Sequence, residues 1–260
     1  MAVRSVEQAI APETAKNAPL LTLEELRAQL RAVGEERYHH QHPFHLMMHE
    51  GRLSRGQLQA WALNRYYYQA IIPIKDSIIL SRGPDPAFRR AWRKRVIDHD
   101  GDGGSNEGGI KRWLKLAEAT GLDAEDVRRG KGILPATRFA VNEYLNIVRN
   151  RSLLEAVASS LTELFSRDLI SLRMEKLRQF YPWLSGGLDY FQARLTQAPE
   201  DAAYAVQYVF DHAETRAQQE SAIQALRDKC DILWAQLDAL YHAYVQPGWP
   251  PPGAFQIEAS

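Results

Sequence analysis

Five of the eight histidines in this chain lie close together, where imidazole groups could bind a metal ion or transfer protons near neutral pH. They are His39, His40, His42, His45 and His49. A di-iron helical bundle needs two Glu-x-x-His pairs, and only Glu36 with His39 has that spacing. His45 and His49 lack the intervening glutamate of a zinc-protease helix. Metal binding is therefore the less favoured interpretation: His40 and His49 fit solvent-facing or capped positions, and His39 fits a pocket as well as a capped position.

A glycine-rich segment resembles the start of a calcium-binding loop, with Asp98 at its first position and Gly103 at its sixth. The twelfth position should hold a bidentate glutamate, but Gly109 stands there and Glu107 comes two residues early. The glycines match neither Gly-x-Gly-x-x-Gly after a strand nor Gly-x-x-x-x-Gly-Lys. The segment therefore predicts a loop that binds neither calcium nor a nucleotide phosphate.

Three pairs of polar residues are spaced four apart, which places both members on one face of a helix. The pairs are Arg65 with Gln69, Arg95 with His99, and Tyr190 with Arg194. Any one pair alone would fit an ordinary solvated surface. Three consecutive tyrosines follow Arg65, however, and surround the helix, so part of this turn should be buried. A buried guanidinium needs an anion, and tyrosines suit a planar aromatic one, so the pattern predicts a polycarboxylate ring compound.

The overall charge excludes some classes of partner. Lys plus Arg and Asp plus Glu both number 32, so no net field attracts nucleic acid or an anionic membrane. The single cysteine, Cys230, excludes an internal disulfide, suits a reducing cytosol and is predicted to be a core residue. Lys229 beside it could pair with Asp231 or contact a ligand, and the spacing favours neither. Without a secretory signal or a long apolar stretch, the protein is predicted to be cytoplasmic.

Helix signals dominate the chain. Capping boxes at Thr22–Glu25 and Ser54–Gln57 begin two helices, the first ending near Gly34 and the second kinked or interrupted at Pro73. Further helices are predicted from Pro84 or Pro86 through His99, from Ile110 to Gly121, from Phe139 to Phe165 as one or two helices, and over Asp189–Leu195, Asp201–Glu214 and Gln218–Val245.

No run of alternating β-branched residues appears between these segments, so the predicted fold is all-α, a compact bundle. We predict a disordered leader over residues 1–20 and one helical catalytic domain over residues 21–247. Residues 248–260 begin with a proline-rich stretch that cannot be helical and has the stiffness of a linker.

Several separated motifs, in order, resemble the pyrroloquinoline-quinone synthase family over roughly residues 22 to 247. They are Tyr38-His39, the Asn64–Gln69 run, Ile72–Asp76, Asp98–Gly101, Arg138–Val141, Ser159–Phe165, Tyr181–Trp183 and Cys230–Trp234. The resemblance implies a haem-oxygenase-like bundle of seven helices, usually a homodimer. It also implies the last step of pyrroloquinoline quinone biosynthesis, in which a bicyclic tricarboxylate quinone precursor closes its third ring and is oxidised by molecular oxygen, releasing hydrogen peroxide.

The resemblance implies no metal or organic cofactor, because a deprotonated quinol-like substrate can itself reduce oxygen while the protein positions it. The resemblance implies four catalytic residues: His99, Tyr190, Arg194 and Lys229. Of these, His99 is expected to be the general acid or base. The matching substrate-binding residues are Tyr38, His39, Arg65, Gln69, Lys75, Arg95, Tyr144, Glu163 and Arg173. One departure is Ile170, which stands where many members have a second active-site histidine and which cannot transfer a proton.

Other functions remain open at this stage. A di-iron oxidase with unusual ligands and a thiaminase-like hydrolase could use the same bundle, although Cys230 has no evident base beside it. A non-catalytic binder of the quinone precursor is a further possibility. Some members of the family continue into a small peptide-binding carrier domain, and the proline-rich end is consistent with a linker to one.

Overall fold

In the computed structural model of the protein, residues 18–257 are described, apart from the side chains of residues 198–201. This range contains eleven α-helices, three 3₁₀ helices and no β-strand. The α-helices are α1 (Leu23–Arg37), α2 (Pro43–His49), α3 (Arg55–Ser81), α4 (Pro86–Asp100), α5 (Gly109–Thr120), α6 (Ala124–Arg128), α7 (Pro135–Asn150), α8 (Leu153–Ala158), α9 (Ser166–Phe180), α10 (Asp189–His212) and α11 (Arg216–Tyr244). The 3₁₀ helices are His39–Gln41, Leu161–Phe165 and Pro182–Gly187.

The all-α class is confirmed, but the described residues form eleven α-helices where seven were predicted. Part of the difference comes from three helices of five to seven residues, α2, α6 and α8, which are too short for a periodic apolar pattern to reveal. The predicted leader falls outside the described residues except for its last three positions. Within the described range, every helix is too short or too polar to cross a membrane.

Helix α3 is continuous, and the predicted interruption at Pro73 is wrong. A proline inside a helix removes one hydrogen bond, but its fixed φ is compatible with helical geometry. Pro73 is buried, and the helix packs against α4, α5 and α7 on its several sides. The free energy gained from this packing outweighs that of the lost hydrogen bond. The helical period therefore continues through Pro73, and the polar residues before and after it keep their places on the helix.

The long helical stretch predicted over Phe139–Phe165 is divided into α7, α8 and a 3₁₀ helix. Ser152 begins α8 afresh because its hydroxyl accepts from the amide of Glu155, whose carboxylate accepts from Ser152 in return. The two helices predicted on either side of residue 198 are the single helix α10. Helix α9 was not predicted, although its buried positions 169, 170, 173, 174 and 177 follow the helical period.

Two clusters of buried apolar residues form the core, and α3 and α11 run through both. The first cluster joins α1, α7 and α8 to the second half of α3, and the second joins α2, α5 and the start of α10 to its first half. Tyr68, Tyr144 and Leu169 of the first cluster and Trp113, Ile170 and Tyr190 of the second all line one cavity. The cavity therefore lies where the two clusters meet.

Residues 245–257, which follow α11, are not helical, as predicted, and some of them contact the helices. The amide of Phe255 donates to the carbonyl of Gly132 at 2.9 Å, and the Tyr244 hydroxyl donates to the Phe255 carbonyl at 3.0 Å. Ala254 is buried in the second cluster. These contacts fix residues 254–255 against the helices.

Candidate functional site

A cavity of about 90 Å³ collects polar side chains from α3, α4, α7, α9, α10 and the 3₁₀ segments. Twelve of the thirteen predicted site residues line it: Tyr38, His39, Arg65, Gln69, Lys75, Arg95, His99, Tyr144, Glu163, Arg173, Tyr190 and Arg194. The thirteenth, Lys229, lies behind two of the lining tyrosines. Residues scattered over the sequence thus converge on one place in the fold.

One side of the cavity holds a network of paired charges centred on Glu163. Arg95 donates to both carboxylate oxygens of Glu163, at 2.7 and 2.8 Å, and Arg194 donates to one of them at 3.1 Å. Burial raises the pKa of Glu163, but the two guanidinium groups outweigh burial and hold the pKa below its usual value. Glu163 is therefore ionised and orients both arginines, which is a different role from direct contact with a carboxylated ligand.

Asp76 supports the same side of the cavity and was not among the predicted site residues. Its Oδ1 accepts from Lys75 at 2.6 Å, from the indole of Trp92 at 3.0 Å and from Arg95 at 3.2 Å, and the residue is fully buried. Burial raises the pKa of Asp76, yet Lys75 and Arg95 outweigh it and the pKa is lowered. Its position next to Lys75 in a buried turn was the only sequence signal for this role.

The other side of the cavity carries cations without carboxylate partners. In the part of the chain that the structure describes, Arg65, Arg173 and Lys229 form no salt bridge. The guanidinium carbon of Arg65 lies 4.1 Å from the ring centre of Tyr68. Burial and the neighbouring Arg65 lower the pKa of Arg173 to about 10. Arg65 lowers the pKa of both Arg173 and Lys229, so these three basic groups lie close enough to repel one another.

Lys229 is enclosed by aromatic rings. Its ammonium donates to the Tyr68 hydroxyl at 2.7 Å and lies 3.6 Å from the ring centre of Tyr144, while those two rings stack 6.2 Å apart. Burial, followed by Arg65, lowers the pKa of Lys229 well below its usual value. The sequence left open an ion pair with Asp231 or a neighbour, but Lys229 forms no salt bridge with any described residue, and Asp231 pairs with Arg37.

His99 is buried at the end of α4 with one nitrogen committed. Its Nδ1 hydrogen donates to the carbonyl of Arg95 at 3.0 Å, which leaves Nε2 as the acceptor. Burial, with Arg194 next in size, lowers the pKa of His99 to about 4. The pKa of His99 therefore lies below that of an ordinary histidine, and in the unliganded protein the ring is a neutral proton acceptor.

Tyr190 and Gln69 connect α10 to α3 across the cavity. The Tyr190 hydroxyl donates to Gln69 Oε1 at 2.9 Å, and the ring meets Trp113 edge-on at 4.9 Å. Ile170 also lines the cavity, so the family position that often holds histidine is apolar here. Ile170 cannot transfer a proton, so the predicted oxygen site has His99, Tyr190 and Arg194 as its groups that can.

The histidine-rich segment divides between structural and cavity positions. His39 lines the cavity, and His42 caps α2 and lies 3.0 Å from Asp238. His49 is buried, so a solvent-facing position for it is wrong. Burial lowers the pKa of His49 to about 4. Within residues 18–257, no three His, Cys, Asp or Glu side chains group as metal ligands.

Cys230 is confirmed as a core residue, since it is fully buried on α11. Burial raises the pKa of its thiol to about 12. A thiaminase-like mechanism requires a thiolate nucleophile, and this environment suppresses one.

The family model for TENA/THI-4/PQQC proteins matches residues 27–239, most of the helical domain. The chain belongs to the TENA/THI-4/PQQC family. Within it, the chain is 56% identical over 240 residues to a pyrroloquinoline-quinone synthase of Granulibacter bethesdensis, covering 92% of this chain and 94% of that protein. It is 57% identical over 237 residues to another from Acidiphilium cryptum, covering 91% and 96%. These relatives confirm the resemblance that the separated motifs indicated.

A further family member joins two functions in its name. A bifunctional coenzyme PQQ synthesis protein C/D from Methylorubrum extorquens is 56% identical over 238 residues, covering 91% of this chain but 64% of that protein. The unmatched third of the Methylorubrum protein therefore lies outside the region that resembles this chain.

Comparison with solved structures establishes the fold of this chain. A domain with a heme oxygenase-like fold from Shewanella denitrificans has a TM-score of 0.73 at 14% identity, covering 92% of this chain and 100% of that chain. A TenA homologue from Pseudomonas syringae pv. tomato has a TM-score of 0.69 at 13% identity, covering 87% and 98%. The predicted haem-oxygenase-like bundle is confirmed.

Proposed function

We propose that this protein catalyses the final step of pyrroloquinoline quinone biosynthesis, in which a bicyclic quinone precursor closes its third ring and is oxidised by molecular oxygen. The observation that carries the proposal is a set of three basic residues that form no salt bridge with any described residue: the buried Arg173 and Lys229 and the half-buried Arg65. The precursor carries three carboxylates, which Arg65 and Arg173 can bind at the cavity wall and which Lys229 can attract from behind that wall. Relatives named pyrroloquinoline-quinone synthase, at 54% to 57% identity, support the assignment.

A bound tricarboxylate would remove a large electrostatic cost. Burying an ion without a partner is unfavourable by several kcal/mol, and removal of this cost on binding favours an anionic ligand. The stacked rings of Tyr68 and Tyr144 supply an apolar wall beside the cations, which suits a planar aromatic body. The same site would reject a neutral ring because the three cations would stay unpaired.

The proposed chemistry assigns proton transfer to His99 and stabilisation of reduced oxygen to Tyr190 and Arg194. His99 Nε2 is free to accept a proton from the bound ring, because Nδ1 is occupied by the Arg95 carbonyl. Deprotonation makes the ring a stronger reductant, which then passes an electron pair to oxygen. Proton uptake by the reduced oxygen yields hydrogen peroxide, with no metal or organic cofactor taking part in the proposal.

The cavity must enlarge for this ligand to bind. Its volume of about 90 Å³ is below the roughly 300 Å³ at which small-molecule pockets begin. Tyr38 and Leu169 line both this cavity and a neighbouring groove of about 590 Å³. Displacement of these two side chains would join the spaces and admit a bicyclic compound.

The test is rapid mixing of an anaerobic complex of precursor and metal-stripped protein with oxygenated buffer, followed by absorbance. We expect the quinone spectrum of the product to appear together with hydrogen peroxide. A protein that only binds the precursor would give no quinone spectrum. Stoichiometric iron or manganese in the purified protein, together with loss of turnover on stripping, would favour the di-iron alternative.

The proposal extends to partners and location. The family resemblance implies that the protein is a homodimer, that it is cytoplasmic and that it acts on a small-molecule precursor. The fused C/D relative supports a functional association between this type of domain and a carrier domain. Size-exclusion chromatography with light scattering tests the dimer, since a monomer at micromolar concentration would contradict it.

A further inference from the structure

His45 on α2 lies just behind the cavity wall, in contact with two of its lining residues. It is 2% exposed and does not line the main cavity itself. Its Nδ1 lies 2.9 Å from the backbone carbonyl of His39 and 3.0 Å from the Nδ1 of the His39 ring. The guanidinium Nη2 of Arg173 lies 3.1 Å from His45 Nδ1 and 3.2 Å from its Nε2. One imidazole therefore meets two site residues that come from different elements.

The surrounding acceptors decide which nitrogen of His45 carries the proton. A neutral imidazole has one N–H and one acceptor nitrogen. The His39 carbonyl can only accept, so Nδ1 of His45 holds the hydrogen. Nε2 is then the only ring nitrogen that can accept from Arg173, whose Nη2 lies about equally far from both nitrogens and so approaches the ring away from the Nε2 lone-pair direction. Burial lowers the pKa of His45 well below its usual value, with Arg173 the next cause, which agrees with a neutral ring.

The same assignment fixes the ring of His39. The one hydrogen on His45 Nδ1 is shared between the His39 carbonyl at 2.9 Å and the His39 Nδ1 at 3.0 Å, which makes that ring nitrogen an acceptor. The single hydrogen of a neutral His39 is then on Nε2, the ring nitrogen left for the cavity. Burial lowers the pKa of His39 well below its usual value, so this ring too is neutral.

We propose that His45 is a positioning residue that makes His39 a hydrogen-bond donor to the ligand and holds Arg173 in place beside it. His45 is the one polar side chain within hydrogen-bond distance of Arg173 among the described residues. Both His39 Nε2 and Arg173 then present hydrogens to an anion, so this corner of the cavity accepts a carboxylate. The carboxylate role rests on the proposed function, whereas the tautomer of His39 does not.

Two conservative variants separate the two contacts. In His45→Asn, the side-chain amide can occupy the place of Nδ1 and keep the contact with His39. In His45→Gln, the longer side chain can place an acceptor oxygen near Nε2 and keep Arg173. His45→Ala removes both contacts, and His49→Gln is the matched control, because His49 stacks on His45 at 6.1 Å without bonding either residue.

The first measurement needs no ligand. Nitrogen-15 NMR of histidine-labelled protein distinguishes protonated from unprotonated ring nitrogens, and loss of one signal set in His39→Gln assigns His39. We expect an Nε2–H tautomer of His39 in the wild type, in His45→Asn and in His49→Gln, and a mixture in His45→Gln. An unchanged pure tautomer in His45→Gln, or an Nδ1–H tautomer in the wild type, would overturn the proposal.

The second measurement is equilibrium binding of pyrroloquinoline quinone, a stable tricarboxylate. We expect the dissociation constant to rise about tenfold in His45→Ala, with partial recovery in His45→Gln and no change in His49→Gln. Equal affinity in His45→Ala and wild type would refute the role in holding Arg173. If the wild type itself does not bind the quinone, the proposed function fails, and the NMR result still decides the His39 tautomer. Circular dichroism checks that each variant is folded. If His45→Ala is unfolded, the affinities of His45→Asn and His45→Gln test whether His45 holds Arg173.

Discussion

At the scale of single residues, the site combines charges that are paired with charges that are not. Arg95 and Arg194 are held by Glu163, and their geometry is set before any ligand arrives. Arg65, Arg173 and Lys229 have no such partner among residues 18–257, which is unfavourable for the folded protein and favours the binding of an anion. Stability and binding should therefore respond in opposite directions when one of these three cations is removed.

Lys229→Met tests whether stability and anion binding change in opposite directions. The substitution keeps the length of the side chain and removes a group whose pKa is lowered well below its usual value by burial and by Arg65. Folding at neutral pH no longer has to desolvate or deprotonate this amine, so we expect the melting temperature to rise by a few degrees. The affinity for pyrroloquinoline quinone should fall about tenfold or more.

Lys131→Met is the control for that variant, because Lys131 is exposed and pairs with Asp126 on the surface. Calorimetry of both variants gives the sign of the change in melting temperature, and equilibrium binding gives the sign of the change in affinity for the quinone. A Lys229→Met protein that is less stable and binds equally well would show that the lysine is a structural anchor.

His99→Asn tests the proton acceptor. An asparagine amide can keep the bond to the Arg95 carbonyl that His99 Nδ1 makes, while Nε2 is lost. We expect product formation in the anaerobic mixing assay to slow by about 10²- to 10⁴-fold, with the quinone dissociation constant within about threefold of wild type. The control is His212→Asn, because His212 makes the same bond to the carbonyl four residues earlier, at 2.8 Å, outside the cavity. A normal rate in His99→Asn would remove His99 from the proposed mechanism.

At the scale of elements, the glycine loop between α4 and α5 determines where His99 stands. Gly101 and Gly108 both have positive φ, +90° and +82°, and their backbones lie against each other. A Cβ on Gly108 would lie 2.6 Å from the carbonyl oxygen of His99. The Asp102 carboxylate closes the outer part of the loop by accepting from two amides. The Asp102 carboxylate, which resembled a calcium ligand in the sequence, thus serves the turn itself.

Gly108→Ala should therefore affect both stability and activity. The positive φ alone costs an alanine about 1–3 kcal/mol, and the contact with the end of α4 would displace His99. We expect a lower free energy of unfolding in urea and a slower quinone-forming reaction. Gly104→Ala is the control in the same loop, because its Cβ would approach nothing closer than 3.5 Å. Equal losses in the two variants would contradict this account.

At the scale of the whole molecule, burial keeps four histidines neutral, namely His39, His45, His49 and His99. Their folded pKa values lie below the unfolded value near 6.5, at about 4 for His49 and His99. Between those values the unfolded chain binds protons that the folded protein does not, so stability falls as the pH is lowered. The lowered carboxyl pKa values of Asp76 and Glu163 add to this only below about pH 4.5.

We expect the free energy of unfolding to decrease from pH 6.5 to pH 4.5 by a few kcal/mol, since each pH unit is worth about 1.4 kcal/mol per proton. Urea titrations at several pH values measure the slope. His49→Gln should reduce the slope of the free energy of unfolding against pH by up to the contribution of one proton. Replacement of the exposed His242 is the control and should leave this slope unchanged. Constant stability over this pH range would show that the histidines are not held neutral.

The sequence by itself determined the all-α class and most long helices, and its family resemblance indicated thirteen site residues, twelve of which line the cavity. Capping boxes and residues spaced four apart are local features, and a helix places them without help from the rest of the chain. The Arg95–His99 pair is an example, since one turn of α4 brings the His99 nitrogen to the Arg95 carbonyl. The residue types of the Asn64–Gln69 run likewise predicted a buried cation beside aromatic rings.

Only the tertiary structure decided which charges are neutralised and which are not. Glu163 pairs with Arg95 and Arg194, Lys229 lies behind Tyr68, and His45 reaches Arg173, each across helices that are far apart in the chain. Such contacts depend on how the helices pack, which no local spacing specifies. The same packing removes water from the site, and desolvation is what lowers the pKa of His99 to about 4 and that of Lys229 well below its usual value.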